Sequence, residues 1–205
     1  MKQLILPICT AAILWTVMFS PWTSSYLNFW YSMTASALLL TLFVFLFSRP
    51  TFSLLRFTST NILLGIGIAA LLWGIFYVGN LVATWIFPFA PQQIDSIYGM
   101  KTGQSPSLLS ILLLLIIGPA EELFWRGYIQ KNLSVRLSPI CAFITTTLIY
   151  TAVHWASFNF MLLMAAFTCG LLWGLLCLIM PHRLAAILLS HAIWDAAVFV
   201  WFPIT

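Results

Sequence analysis

The chain has 205 residues, of which 62% are hydrophobic and only 6% charged. A soluble domain carries about 25% charged residues, so this composition describes an integral membrane protein, and the length leaves room for one bundle and no second domain. Its eight basic residues give a net charge of +4 but form no Lys/Arg runs, which excludes a nucleic-acid partner and leaves membrane topology as their use.

Taken in chain order, long apolar runs fall at 4–19, 29–47, 62–86, 108–130, 140–155, 160–180 and 184–202. They predict an all-α polytopic bundle of about seven transmembrane helices in a single membrane domain spanning 1–205. Turn chemistry separates the runs: Pro21 with Ser24-Ser25, Ser48-Arg49-Pro50, Ser105-Pro106, Ser138-Pro139 and Pro181. The first run, after Met1-Lys2, resembles a signal peptide. Pro21 and Trp22 stand where a small-residue cleavage site belongs, so an uncleaved first helix is expected. The third run contains Gly79-Asn80 and is expected to break there. The stretch 91–107 is expected as the largest outer loop.

With the N-terminus in the cytoplasm, Lys2, Arg49, Arg56, Lys131, Arg136 and Arg183 fall inside and only Lys101 outside, as the positive-inside rule asks. Cys9, Cys141, Cys169 and Cys177 lie in apolar stretches without CxxC or zinc-type spacing, and read as small buried hydrophobes. Trp15, Trp22, Trp30, Trp85 and Trp201 sit toward segment ends and fit an interfacial belt. Trp125, Trp155 and Trp194 flank the polar residues described next, where packing is the default reading. Gly170 and Gly174 predict close helix contact, and His182 reads as an inner-turn residue.

Function should lie where ionisable groups enter the greasy segments, because each costs roughly 2.5–3.5 kcal/mol at membrane depth. Glu121, Glu122, Arg126, His154, His191 and Asp195 do so, while Asp95 reads as an ordinary solvated carboxylate. In Glu121-Glu122-Leu123-Phe124-Trp125-Arg126, Glu122 and Arg126 are four apart on one helical face and can pair. Glu121 is rotated by about 100° and stays free. Gly118-Pro119 should kink that helix. His191 and Asp195 also share a face, four residues apart. A free carboxylate beside an imidazole can act as general base on a water, and a second imidazole with a short polar side chain can stabilise an oxyanion.

Depth raises a conflict. At 1.5 Å per residue, Glu121 lies about 14 Å from an inner helix end at Gln130, and His191 about 12 Å from Arg183, but His154 comes out at about 24 Å from Ser138. The fifth segment must tilt, the 131–139 connection must dip inward, or the boundaries are misplaced.

EExxxR, then Tyr150-Thr151-Ala152-Val153-His154, then His191-Ala192-Ile193-Trp194-Asp195 resemble the motifs of the CPBP family. That family holds the Ras-converting-type CAAX prenyl endopeptidases and the bacterial abortive-infection, bacteriocin-processing and immunity proteins. The likeness covers roughly 118–199, within a catalytic core set at 108–202. It implies a glutamate-dependent intramembrane endopeptidase in which Glu121 activates water, His154 assists, His191 and Asp195 stabilise the oxyanion, and Glu122 and Arg126 support. Tyr150 replaces the family's phenylalanine. Asp195 replaces the asparagine of the prenyl proteases, and a carboxylate cannot donate to an oxyanion unless protonated. Either it is protonated, or it orients His191, or the transition state is supported differently.

The resemblance favours a site with no cofactor. The alternative is zinc on Glu121, His154, His191 and Asp195, although HExxH is absent. Expected partners are a membrane-embedded or lipidated protein or peptide substrate and the lipid bilayer, with no nucleic acid. The small size hints at a multi-pass protein of the bacterial plasma membrane. Two competing readings are a non-catalytic immunity or regulatory protein and a proton-coupled transporter. The second lacks matching motifs in the first half of the chain. Substrate identity, cleavage site and oligomeric state are not encoded in these motifs.

Overall fold

A backbone in hydrocarbon has no water to bond, so long apolar runs satisfy their N–H and C=O groups by coiling into helix. The computed structural model describes residues 2–204, without the side chains of Lys2 and Gln3; the inside position expected for the Lys2 charge lies outside the described residues. The helices are Lys2–Phe19 (α1), Phe29–Phe47 (α2), Ser59–Ile86 (α3), Ala90–Gly99 (α4), Pro106–Ser134 (α5), Pro139–Ala152 (α6), Phe160–Ile179 (α7) and Leu184–Trp201 (α8). Counting α6 with its following turn to Ser157, six of them are long and apolar enough to cross a membrane. A shorter apolar run, Leu4–Phe19, makes up most of α1. The chain is an all-α, multi-pass membrane bundle, without strands among the described residues.

Several breaks read from the sequence become helix caps. Ser105 and Ser138 accept hydrogen bonds from the backbone N–H groups of Leu108 and Cys141, at 3.4 and 3.2 Å. Pro106 and Pro139 follow them at the first helical position, where a missing N–H costs nothing. Asn159 caps α7 by accepting from Leu162 N–H at 2.9 Å.

Polar contacts group the connections into two ends, as alternating crossings require. At one end Arg183 Nη1 donates to Asn61 Oδ1 at 2.8 Å, and the Thr51 hydroxyl bonds the Gly127 carbonyl at 3.1 Å. At the other, Trp30 Nε1 donates to the Met100 carbonyl and Lys101 Nζ to the Phe199 carbonyl, both at 2.9 Å.

Four expectations need correction. The 91–107 stretch is not a plain loop: α4 occupies its first part, turning Ile94, Ile97 and Tyr98 inward at helical spacing while Asp95 stays exposed. α3 does not break at Gly79-Asn80, because an open turn in lipid would leave backbone groups unbonded. Cys9 and Cys141 are exposed on the outer surface rather than buried, while Cys169 is buried and Cys177 partly so. The belt reading suits Trp22 and Trp85, exposed at 73% and 86%, but Trp15 and Trp30 are buried and hydrogen-bonded inside the bundle.

The expected kink at Gly118-Pro119 takes another form. Two wide, π-helical stretches, Leu113–Ile117 and Leu123–Gln130, flank a short α-helical piece, Gly118–Glu122, within a continuous α5. Such turns absorb the missing proline N–H without ending the helix. Gly118 lets α5 lie against α8 backbone to backbone: a Cβ there would stand 2.7 Å from Ala192 Cα and 2.9 Å from Ala192 N. The Gly170 and Gly174 step does pack closely, with α7 resting on Thr147, Tyr150 and Phe143 of α6.

Candidate active site

The close crossing at Gly118 sets the site, because Glu121 and Glu122 lie one turn along α5 while His191 and Asp195 flank Ala192 on α8. All four side chains are buried. Glu122 Oε1 accepts from Arg126 Nη1 at 2.9 Å, as the helical spacing predicts, and from His191 Nδ1 at 2.8 Å. The Arg126 guanidinium also lies over the ring of Tyr150, 4.6 Å from its centre, and within 5.7 Å of that of Trp173. A buried charge is tolerable only when paired in this way.

His191 is held on every side. Trp173 stacks on its ring at 3.8 Å and 17° between planes, and anchors itself by donating Nε1–H to Ser190 Oγ at 3.0 Å. The second ring nitrogen, Nε2, faces Asp195 Oδ2 at 3.4 Å. That distance exceeds the usual 2.7–3.2 Å range for N–H···O, so this N–H is loosely held.

Glu121, rotated away from Arg126, keeps one carboxylate oxygen, Oε2, without a hydrogen-bond partner. The Tyr150 side chain lies beside the same carboxylate. His154 lies in the turn just after α6 and has both nitrogens engaged. Its Nδ1 meets the Tyr150 carbonyl at 2.8 Å, and its Nε2 receives the indole N–H of Trp15 at 3.2 Å. An indole nitrogen only donates. His154 is therefore the neutral tautomer with its proton on Nδ1.

Glu121, His154, His191 and Asp195 all border one cavity of about 420 Å³, walled mostly by apolar and aromatic side chains that include Trp15, Phe76 and Trp194. This volume is in the usual range for a ligand site. The structure thus brings together all four residues singled out from sequence, with Glu122 and Arg126 directly behind them. The depth conflict eases because α5 runs on to Ser134: Glu121 is then up to about 20 Å from the helix end, much nearer the 24 Å of His154. Among the described residues no three His, Cys, Asp or Glu side chains form a group that could hold a metal ion.

Sequence reasoning missed three contributors. Trp15 lies 139 residues from His154 and carries no local mark of its role. Trp173 is one of three aromatic residues in α7 and carries no local mark of its role. Tyr150 stood out only as a replacement for phenylalanine, yet it borders the same cavity as Glu121.

A family model described as type II CAAX prenyl endopeptidase Rce1-like matches residues 102–197. No curated protein and no solved structure matches the chain. The matched stretch holds every one of Glu121, Glu122, Arg126, His154, His191 and Asp195, and leaves out α1–α4. Over residues 102–197 this multi-pass membrane protein is similar to the CAAX prenyl endopeptidases of the Rce1-like family.

Proposed function

We propose that this chain is an intramembrane endopeptidase that uses Glu121-activated water to cut a membrane-anchored or lipidated protein or peptide precursor. The supporting observation is the convergence of Glu121, His154, His191 and Asp195, from three helices, on one apolar cavity. Water attacks the scissile carbonyl carbon while the free Glu121 oxygen takes its proton, a contribution of about 10²–10⁴ in rate for a well-placed base. The carbonyl π electrons move to oxygen. The loosely held Nε2–H of His191 turns from Asp195 to that oxyanion, and Asp195 acts as the group that orients the ring. Collapse breaks the C–N bond. Glu121 returns its proton to the leaving nitrogen, which yields a new carboxyl terminus and a new amine.

His154 assists once substrate displaces the Trp15 indole and frees Nε2 for the water. Arg126 and Glu122 hold His191 in place. The proposal needs no metal, since a carboxylate can activate the water and an imidazole N–H can hold the oxyanion. Prenylated CAAX tails suit the family as a substrate class; a bacterial plasma membrane would offer precursor peptides or anchored sorting tails instead.

The test compares the termini of all membrane proteins in cells carrying wild type, Glu121→Ala, His154→Ala or His191→Ala. Termini that vanish with Glu121→Ala support the reading, and a full set of unchanged termini overturns it. Cleavage that survives a strong chelator supports the metal-free form; its loss, restored by zinc, would replace that form.

A further inference from the structure

The first half of α3 packs through Asn61, Gly65, Ile68, Ala69 and Leu72; its second half borders the cavity. Trp73, Phe76, Asn80, Ala83 and Phe87 follow one another at spacings of three and four, which puts them on one helical face. That face turns inward. Trp73 Nε1 donates to the Phe202 carbonyl at 2.9 Å, Phe76 meets Trp194 at 4.6 Å between ring centres, and Phe87 meets Phe160 at 5.6 Å. Between these contacts Asn80 lines the cavity. It is the polar member of an α3 wall otherwise made of Ile75, Phe76, Gly79, Val82 and Ala83, with Phe87 just past the helix end.

Asn80 accepts a bond at its backbone carbonyl, from Thr84, but among the described residues its carboxamide has no partner. An amide at membrane depth with nothing to bond is costly. A peptide bond presented to water in such a cavity has the complementary need. It must leave helical hydrogen bonding, so the N–H and C=O groups beside it are stranded among apolar walls. A carboxamide offers both a donor and an acceptor and matches one such peptide unit.

We infer that Asn80 is a substrate-binding residue, pairing with a backbone amide of the cleaved segment and holding it extended in the cavity. The inference rests on the peptidase reading above. Phe76 fixes the level, since it touches Trp194, the neighbour of Asp195. Asn80 is four residues on, about 6 Å along the helix axis. At about 3.3 Å per extended residue, it meets a peptide unit about two residues from the bond under attack. The residue lies outside the stretch matched by the family model, and its contact is with backbone, so it acts on every substrate alike.

The experiment measures, by pulse-chase in cells, how fast each Glu121-dependent terminus appears in wild type, Asn80→Leu and Asn80→Gln, alongside the melting temperature of each purified protein in detergent. Loss of one neutral hydrogen bond predicts a drop of roughly five- to tenfold with Asn80→Leu. The drop should be similar at all sites, partly restored in Asn80→Gln, with the melting temperature unchanged or raised. Wild-type rates in Asn80→Leu would overturn the inference and leave the peptidase standing. A lowered melting temperature in both variants would make Asn80 a packing residue and also overturn it. Absence of any Glu121-dependent terminus would remove the peptidase reading and this inference together.

Discussion

Gly118→Ala should dismantle the site without touching any of its functional groups. The added Cβ would sit 2.7 Å from Ala192 Cα, 2.9 Å from Ala192 N and 3.1 Å from the Leu113 carbonyl oxygen. All three are backbone atoms and cannot swing aside as a side-chain tip would. Carbon–carbon contact is comfortable at about 3.5–4.0 Å, so α5 and α8 must part by about 1 Å. The bond from His191 Nδ1 to Glu122 Oε1, now 2.8 Å, would stretch past any useful length. Overpacking of this kind costs about 1–3 kcal/mol, and catalytic geometry is more sensitive still, with a misplacement of about 1 Å able to cost 10²-fold.

The assay pairs melting in detergent with the rate of Glu121-dependent cleavage. Gly67→Ala and Gly74→Ala serve as controls, since a Cβ at either position meets nothing within 4 Å. Both controls should melt at or slightly above wild type, because alanine is the better helix residue by about 1 kcal/mol. Gly118→Ala should melt several degrees lower and lose nearly all cleavage. If it matched the controls in both measurements, the close crossing of α5 and α8 would not be what assembles the site.

Trp15→Phe should lower the melting temperature, because the buried His154 Nε2 loses its donor at a cost of about 1–3 kcal/mol; cleavage should persist or rise, and a fall to the Glu121→Ala level would refute displacement of the indole by substrate. Arg126→Ala leaves Glu122 as a buried, weakly compensated charge and should cost about 3–5 kcal/mol, read as poor accumulation or a much lower melting point. Arg126→Lys should rescue little, since an ammonium cannot reproduce the planar guanidinium that sits over Tyr150 and near Trp173; full rescue would show that charge alone matters. Asp195→Asn keeps an acceptor for His191 Nε2 and should retain far more cleavage than Asp195→Leu; equal loss in both would refute an orienting role.

What could be read from the chain and what could not divides along a physical line. Hydropathy and lone ionisable residues are local properties, so the apolar runs and the set Glu121, His154, His191 and Asp195 were visible in the sequence. So was the pairing of Glu122 with Arg126, which helical spacing alone dictates. α4 was hidden because its inward face is only Ile94, Ile97 and Tyr98, set among Gln92, Gln93, Asp95 and Ser96 and opened by Pro91, a composition that also describes a loop. The end of α5 was hidden because Lys131 and Asn132 read as connection, although a helix leaving the membrane can carry polar residues in its last turns. Trp15 shows the deeper limit. A tryptophan near a helix end looks the same whether it faces headgroups or donates to a histidine 139 residues away. Gly79-Asn80 shows how the solvent changes a rule: a pair that favours a turn in water stays helical in lipid, where opening the backbone costs more than low propensity does. Once the helix holds, the asparagine can no longer spend its polarity on a local turn. It must present that polarity to whatever enters the cavity, and a residue that reads as a break in water becomes a contact for substrate in the membrane.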